Sequence, residues 1–208
     1  MKRAISYIFI LIFSHNYLNS QSASKGFKKL SGPEKCWVVF HPFKAKRAYK
    51  ISLQAQQTSD SIAKTNLLDK DKNGGQVDAF RHSYWMATLA QEIGKRSAKS
   101  LGKAHEKGNY KQFKKGKLED GEIPDKPSSK MDLFNNNVGI QIYKNNKKAS
   151  HEEYIALIVE NILNGNLKII KKDNLGNYQK CDGTSLQKKD LRGIWETPKC
   201  LINSNQKI

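Results

Sequence analysis

Gly75-Gln76-Val77-Asp78-Ala79-Phe80-Arg81-His82-Ser83-Tyr84-Trp85 opens the stretch that decides the fold, and it runs on through Met86 to Leu101 without a proline. Phe80, Tyr84, Ala87 and Ile93 recur at near-helical spacing, so the segment from Val77 to Leu101 reads as helix with one apolar side, punctuated at Gly94 and Gly102. Asp78 and His82 stand four residues apart, one turn along the same face, where a carboxylate can fix an imidazole tautomer. Just upstream, Leu67 to Gly75 is a polar loop rich in Asp and Gly.

Outward from this stretch the helical reading continues. Ser31 and Glu34 form a capping box with Pro33 in the first turn, and Pro42 breaks the helix that follows. Phe43 to Lys64 has no Pro or Gly and predicts a second helix, with Lys44, Lys46, Arg47 and Lys50 on its outer face. Downstream, Lys107 to Lys130 carries many charges, two prolines and few apolar residues, and reads as a long surface loop. Order resumes at Met131. Ser150 and Glu153 make another capping box, and Tyr154, Ile155, Ile158, Val159, Ile162 and Leu163 predict an amphipathic helix ending before Gly165. Leu167 to Ile170 and the region around Tyr178 are β-like, flanking the turn residues Asn174 to Asn177. The expected class is therefore mainly α: a single compact helical domain over 31–166, with a short β-hairpin and C-terminal extension over 167–208.

The chain of 208 residues begins with Lys2 and Arg3, the apolar run Ala4 to Phe13, and a polar stretch ending in small residues. That is the pattern of a secretory signal over 1–20, with cleavage expected before Gln21, or after Ser22 or Ala23, and a flexible stretch over 21–30. A membrane helix needs roughly twenty apolar residues, so no stable transmembrane segment is expected after processing. The competing reading, a hydrophobic first helix of the domain, lacks amphipathic spacing. Export to the periplasm or the medium agrees with the cysteines. Cys181 and Cys200 are expected to pair, for roughly 3 kcal/mol of stabilisation, and Cys36, in the apolar run Cys36 to Phe40, is expected to be a buried free thiol.

A formal net charge of +18 favours an anionic partner or surface: phospholipid, nucleic acid or acidic cell-wall polymer. Composition does not choose among them, and lysine runs such as Lys111 to Lys117 and Lys144 to Lys148 also serve as plain solvated faces. Nothing in the chain fixes an oligomeric state.

Behind the signal stand four histidines, His41, His82, His105 and His151. Glu106 follows His105 directly, and adjacent helical residues point about 100° apart, so the two would share a site only if the helix breaks near Gly102. Asp132 and Asn136 lie one turn apart, and Asn135 to Asn137 is a run of poor helix formers whose amides suit a cation, a phosphate or a sugar. Asp69, Asp71, Asn73 and Gly74 match the first half of a calcium loop, but its twelfth position is Phe80 where a bidentate carboxylate is required. The same residues also make an ordinary turn into the helix.

Gly75 to Trp85, together with Ala104-His105-Glu106 and Met131-Asp132-Leu133-Phe134-Asn135-Asn136, resembles an uncharacterised bacterial family of exported and toxin-associated domains with a D-A-F-R-H-x-x-W, A-H-E and M-D-x-x-N-N signature. The resemblance spans roughly Ser31 to Asn146. It implies a mainly helical domain in which Asp78, Arg81, His82, His105, Glu106, Asp132, Asn135 and Asn136 converge, and it leaves the reaction open.

From these residues the expected chemistry is metal-assisted hydrolysis of phosphodiester or ester bonds in an anionic substrate. His82, Asp78, Glu106 and Arg81 are the catalytic candidates, Asn135, Asn136 and Trp85 the substrate-binding ones, and His105 and Asp132 the metal ligands. Zinc is the favoured ion and calcium the second. Two alternatives stand beside it: a metal-free site in which Asp78 orients His82 as base for a water, and an exported binding module whose polar cluster is a structural hydrogen-bond network. A serine elbow and an H-E-x-x-H zincin are disfavoured because neither pattern is present.

Overall fold

The computed structural model describes residues 26–118 and 121–206. The signal segment 1–20, its cleavage point and the first half of the stretch 21–30 lie outside the described residues, while residues 26–29 form a helical turn. The domain is mainly α. Its elements are α1 (Gly32–Phe40), α2 (Pro42–Ile62), α3 (Gln76–Ile93), α4 (Lys95–Phe113), α5 (Lys126–Asn145), α6 (His151–Leu163), β1 (Lys168–Ile170), the short α7 (Lys188–Leu191) and β2 (Leu201–Asn203).

Helix α3 is the hub. Thirteen of its eighteen residues are buried, polar ones included, because it packs against α2, α4, α5 and α6 at once. A helix enclosed on every side cannot be amphipathic in the ordinary sense, which is why His82, Ser83 and Thr88 are as covered as Phe80. Phe80, Tyr84 and Ala87 join Tyr154, Ile158 and Ile162 of α6 in one apolar cluster. Met86, Leu89 and Ile93 join Trp37, Ile51 and Leu101 in a second. Each large apolar side chain among them, such as Phe80 or Met86, contributes about 1.5–3 kcal/mol by leaving water.

The approach of α5 to α3 depends on Gly139. A Cβ there would stand 2.1 Å from the carbonyl oxygen of Ser83, so no side chain fits between the two backbones. Ser83 Oγ in turn donates to the carbonyl of Asn135 at 3.0 Å.

Both capping boxes form, Ser31 with Glu34 and Ser150 with Glu153, and the chain breaks at Pro42 as expected. Gly94, at φ 87°, does more than punctuate: it ends α3 and starts a separate helix. The loop expected over Lys107 to Lys130 is much shorter. α4 runs on to Phe113, because Glu106, Gly108 and Asn109 are buried and Gly108 leaves room for Ser31, the N-cap of α1. α5 begins at Lys126, N-capped by Asp125, whose carboxylate accepts from Ser128 N.

The small antiparallel sheet near the C-terminus pairs β1 with β2, Ile169 opposite Ile202. The turn around Asn174 to Asn177 is spanned by a single bridge, Lys172 with Tyr178, so the two strands of the sheet come from farther apart than a local hairpin. Cys181 and Cys200 are bonded. Cys36 is exposed rather than buried: α1 turns Trp37 inward, and its neighbour faces solvent. No helix among the described residues is long and apolar enough to cross a membrane.

Candidate functional site

The loop before α3 presets its first turn. Gly75 caps without a side chain, so Asp69 takes over, its carboxylate accepting from Gln76 N at 2.7 Å and from Asp71 N at 2.9 Å. The cation that a calcium loop would collect is replaced here by an ammonium: Lys172 Nζ donates to the Asn73 carbonyl at 2.8 Å and pairs with Asp71. Gly74 N donates to Asp78 Oδ2 at 2.7 Å, which leaves Asp78 Oδ1 facing into the fold, 2.6 Å from Arg81 Nη2.

One turn later, His82 Nε2 lies 3.5 Å from Asp78 Oδ1 and 3.3 Å from Asp132 Oδ1, the latter brought in by α5. Asp78, His82 and Asp132 are all buried, and one ligand atom from each lies within 4.8 Å of the others. The Asn136 side chain sits against the His82 ring and favours its charged form, yet neither its amide atoms nor His82 Nδ1 completes a well-aligned hydrogen bond among the described residues.

Burial, and after it the Arg81 guanidinium, pushes the His82 imidazole down to about 3 against the pull of Asp78. It is therefore neutral at pH 7, as a metal ligand or proton acceptor must be. Burial works against ionised Asp78, but Arg81, His82 and the Gly74 N–H outweigh it and hold the carboxyl below its usual range. Across the helix pair, His105 Nδ1 stands 2.9 Å from Glu34 Oε1. Burial would raise Glu34, but the bond and charge of His105 bring it down to about 2.

Because unfolded histidine titrates near 6.5 and folded His82 near 3, the unfolded state binds the extra proton between those values, and stability rises with pH through that window. Glu34 acts with the same sign but lower, from 4.5 down to about 2. Denaturant melts from pH 6.5 to 5, above the Glu34 window, are expected to show stability falling on acidification, with a flatter slope in His82→Gln. Equal slopes would mean that His82 is accessible to protons in the fold.

Two cavities meet at this cluster. A small one of about 50 Å³ is lined by Asp78, Arg81, His82 and Asp132, and also by Tyr178 and Lys199. A larger one of about 440 Å³ is walled by Trp37, Leu53, Trp85 and His105, and again by Arg81 and His82. Arg81 and His82 thus form the partition between a small pocket with charged residues in its wall and a larger, mostly apolar one.

Of the anticipated residues, Asp78, Arg81, His82 and Asp132 converge on the small cavity, while Trp85 and His105 stand on the large one, Trp85 anchored through Nε1 to Ser52 Oγ. Asn135 is fully buried and holds β1 instead, its amide bonded to both the N–H and the carbonyl of Lys168. Glu106, on the unbroken α4, faces Asn109 and borders neither cavity. Glu34 and Tyr178 entered the sequence reading only as a capping residue and a β-like position, and Lys199 not at all. Lys199 is held by a buried pair with Asp125 at 2.8 Å and lies 3.7 Å over the Tyr178 ring, contacts no local pattern announces.

The model of one protein family, described as a domain of unknown function (DUF6973), matches residues 35–166. That span runs from within α1 to beyond the end of α6, takes in the three helices α3, α4 and α5 that carry the signature, and stops short of the disulfide-bonded segment. No curated protein and no solved structure matches the chain.

Proposed function

We propose that this chain, which belongs to the DUF6973 family of domains of unknown function, is an exported metal-assisted hydrolase of phosphodiester or ester bonds in an anionic substrate. The observation that carries the reading is the group Asp78, His82 and Asp132, buried, mutually within ligand distance and bordering a cavity. Two carboxylates and a neutral imidazole are donors that suit a divalent ion, zinc first and calcium second. Such an ion, once bound, acidifies a water and polarises the oxygen of the bond to be cut.

The chain's own residues do the rest. Gly74 N–H and Arg81 keep Asp78 ionised and aimed inward. Arg81 and Lys199, each paired with a carboxylate, both line the small cavity, where an anionic group would meet them. His105, steadied by Glu34, and Trp85 face the apolar side, where the remainder of a substrate has room. Export is supported by the first twenty residues and by the Cys181–Cys200 bond, which persists in oxidising compartments.

One observation favours a second reading, a structural network in a non-catalytic module: Arg81 Nη2 already lies 2.6 Å from Asp78 and 3.5 Å from His82 Nε2, an internal cation in place of an external one. Metal analysis of the purified protein separates the two. The hydrolase reading expects close to one divalent ion per chain, retained through dialysis and lost in Asp132→Asn. A parent chain free of bound metal after incubation with zinc and with calcium refutes the metal site.

A further inference from the structure

The corner where α1 turns into α2 exposes an apolar knob that the fold does not use. Val39 is 66% exposed, Phe40 78% and Phe43 99%, although large side chains elsewhere on the same two helices, Trp37 and Ile51, are buried. A single exposed apolar residue is ordinary; three within five positions at one protruding turn form a patch that marks a binding surface. The surrounding charge is of one sign. From Lys35 to Ser59 there is no carboxylate, and Lys44, Lys46, Arg47 and Lys50 ring the knob on its α2 side, all exposed. The start of α4 is tied to the corner by Lys44 Nζ to Ser97 Oγ and by Trp37 Nε1 to Ser100 Oγ, each 2.7 Å, and brings Lys95 and Arg96 alongside. The nearby acid Glu92 is already paired with Arg47.

We infer that this corner docks on the surface of an anionic phospholipid bilayer, with Val39, Phe40 and Phe43 entering the headgroup and acyl boundary and the collar of lysines and arginines facing lipid phosphates. Apolar insertion framed by cations is the combination that holds proteins on such surfaces, and neither half suffices alone. A second copy of the chain is the wrong occupant, because pressing two knobs together would also press two cationic collars together. The same helices continue inward as the wall of the large cavity: Trp37 and Val38 from α1, Ala48 and Leu53 from α2, leading to Arg81 and His82. An acyl chain that entered this cavity would lie against its apolar walls, with its polar head at the partition. Docking stands on the corner alone; the further statement that membrane phospholipid is the substrate rests on the hydrolase reading.

The test is co-sedimentation of the processed chain with vesicles of equal phosphatidylglycerol and phosphatidylcholine, and with phosphatidylcholine alone. Binding is expected to be at least tenfold stronger on the anionic vesicles and to weaken as salt is raised. It should fall at least tenfold in Phe40→Ser/Phe43→Ser and in Lys46→Glu/Lys50→Glu. Because these side chains are exposed, the variants keep the parent's melting temperature. Asp132→Asn is expected to bind vesicles like the parent while losing hydrolysis, and a parent chain that docks but hydrolyses no lipid condemns only the catalytic reading. Undiminished binding in the double serine variant overturns the membrane surface. So does a dimer in sedimentation velocity that the same variant dissolves.

Discussion

His82→Ala is expected to reduce turnover of a susceptible ester or phosphodiester by at least about a thousandfold, equivalent to about 4 kcal/mol of transition-state stabilisation, while shifting the melting temperature by only a few degrees. The imidazole is buried, but it is a partition and not a filler, because it borders two cavities. Its removal merges two spaces that already exist. What disappears is the one neutral nitrogen standing between Asp78 and Asp132, at 3.5 and 3.3 Å. If the cluster serves only to fix helix packing, the outcome reverses: the two carboxylates lose their shared neighbour, the melting temperature falls by more than about 10 °C, and no activity is lost because none existed. His82→Gln, which keeps most of the volume and a polar tip, repeats the test without the enlarged void.

The largest stability effect belongs to Gly139→Ala, with an expected loss of about 3 kcal/mol and a fall in melting temperature of roughly 6–12 °C. The added methyl would stand 2.1 Å from the Ser83 carbonyl oxygen and 2.8 Å from its carbon, atoms of the α3 backbone that cannot rotate aside. Helices α3 and α5 must part, against the pull of the Ser83 Oγ bond to the Asn135 carbonyl. Gly102→Ala is the contrasting case. There the new methyl meets the Met86 Cε at 2.8 Å, the end of a flexible side chain, and the cost should be well under half as large. Since α3 carries Asp78 and His82 and α5 carries Asp132, Gly139→Ala is also expected to weaken metal binding, although residue 139 borders neither cavity. Calorimetry of the two alanine variants side by side decides it; similar melting temperatures would show that the interhelical contact yields easily.

What the amino-acid order announced by itself was whatever is settled within a few residues. Ser31 with Glu34 and Ser150 with Glu153 satisfy one another's backbone groups locally, so those helix starts could be read directly. The pairing of Asp78 with His82 one turn apart is likewise a property of any helix built from that stretch. Tertiary contacts decided the rest. Polar composition over 107–113 argued for loop, but the burial of Glu106, Gly108 and Asn109 kept α4 helical, and on that unbroken helix His105 lines the larger cavity while Glu106, bonded to Asn109, borders neither. Lys172 came from about a hundred residues away to fill a loop that read as half a calcium site. Tyr178 and Lys199 came from beyond the family's span to close the small cavity. A side chain's neighbours along a helix are fixed by its pitch, whereas its neighbours across a packed interior depend on how closely whole helices approach, and here that distance is set by a glycine.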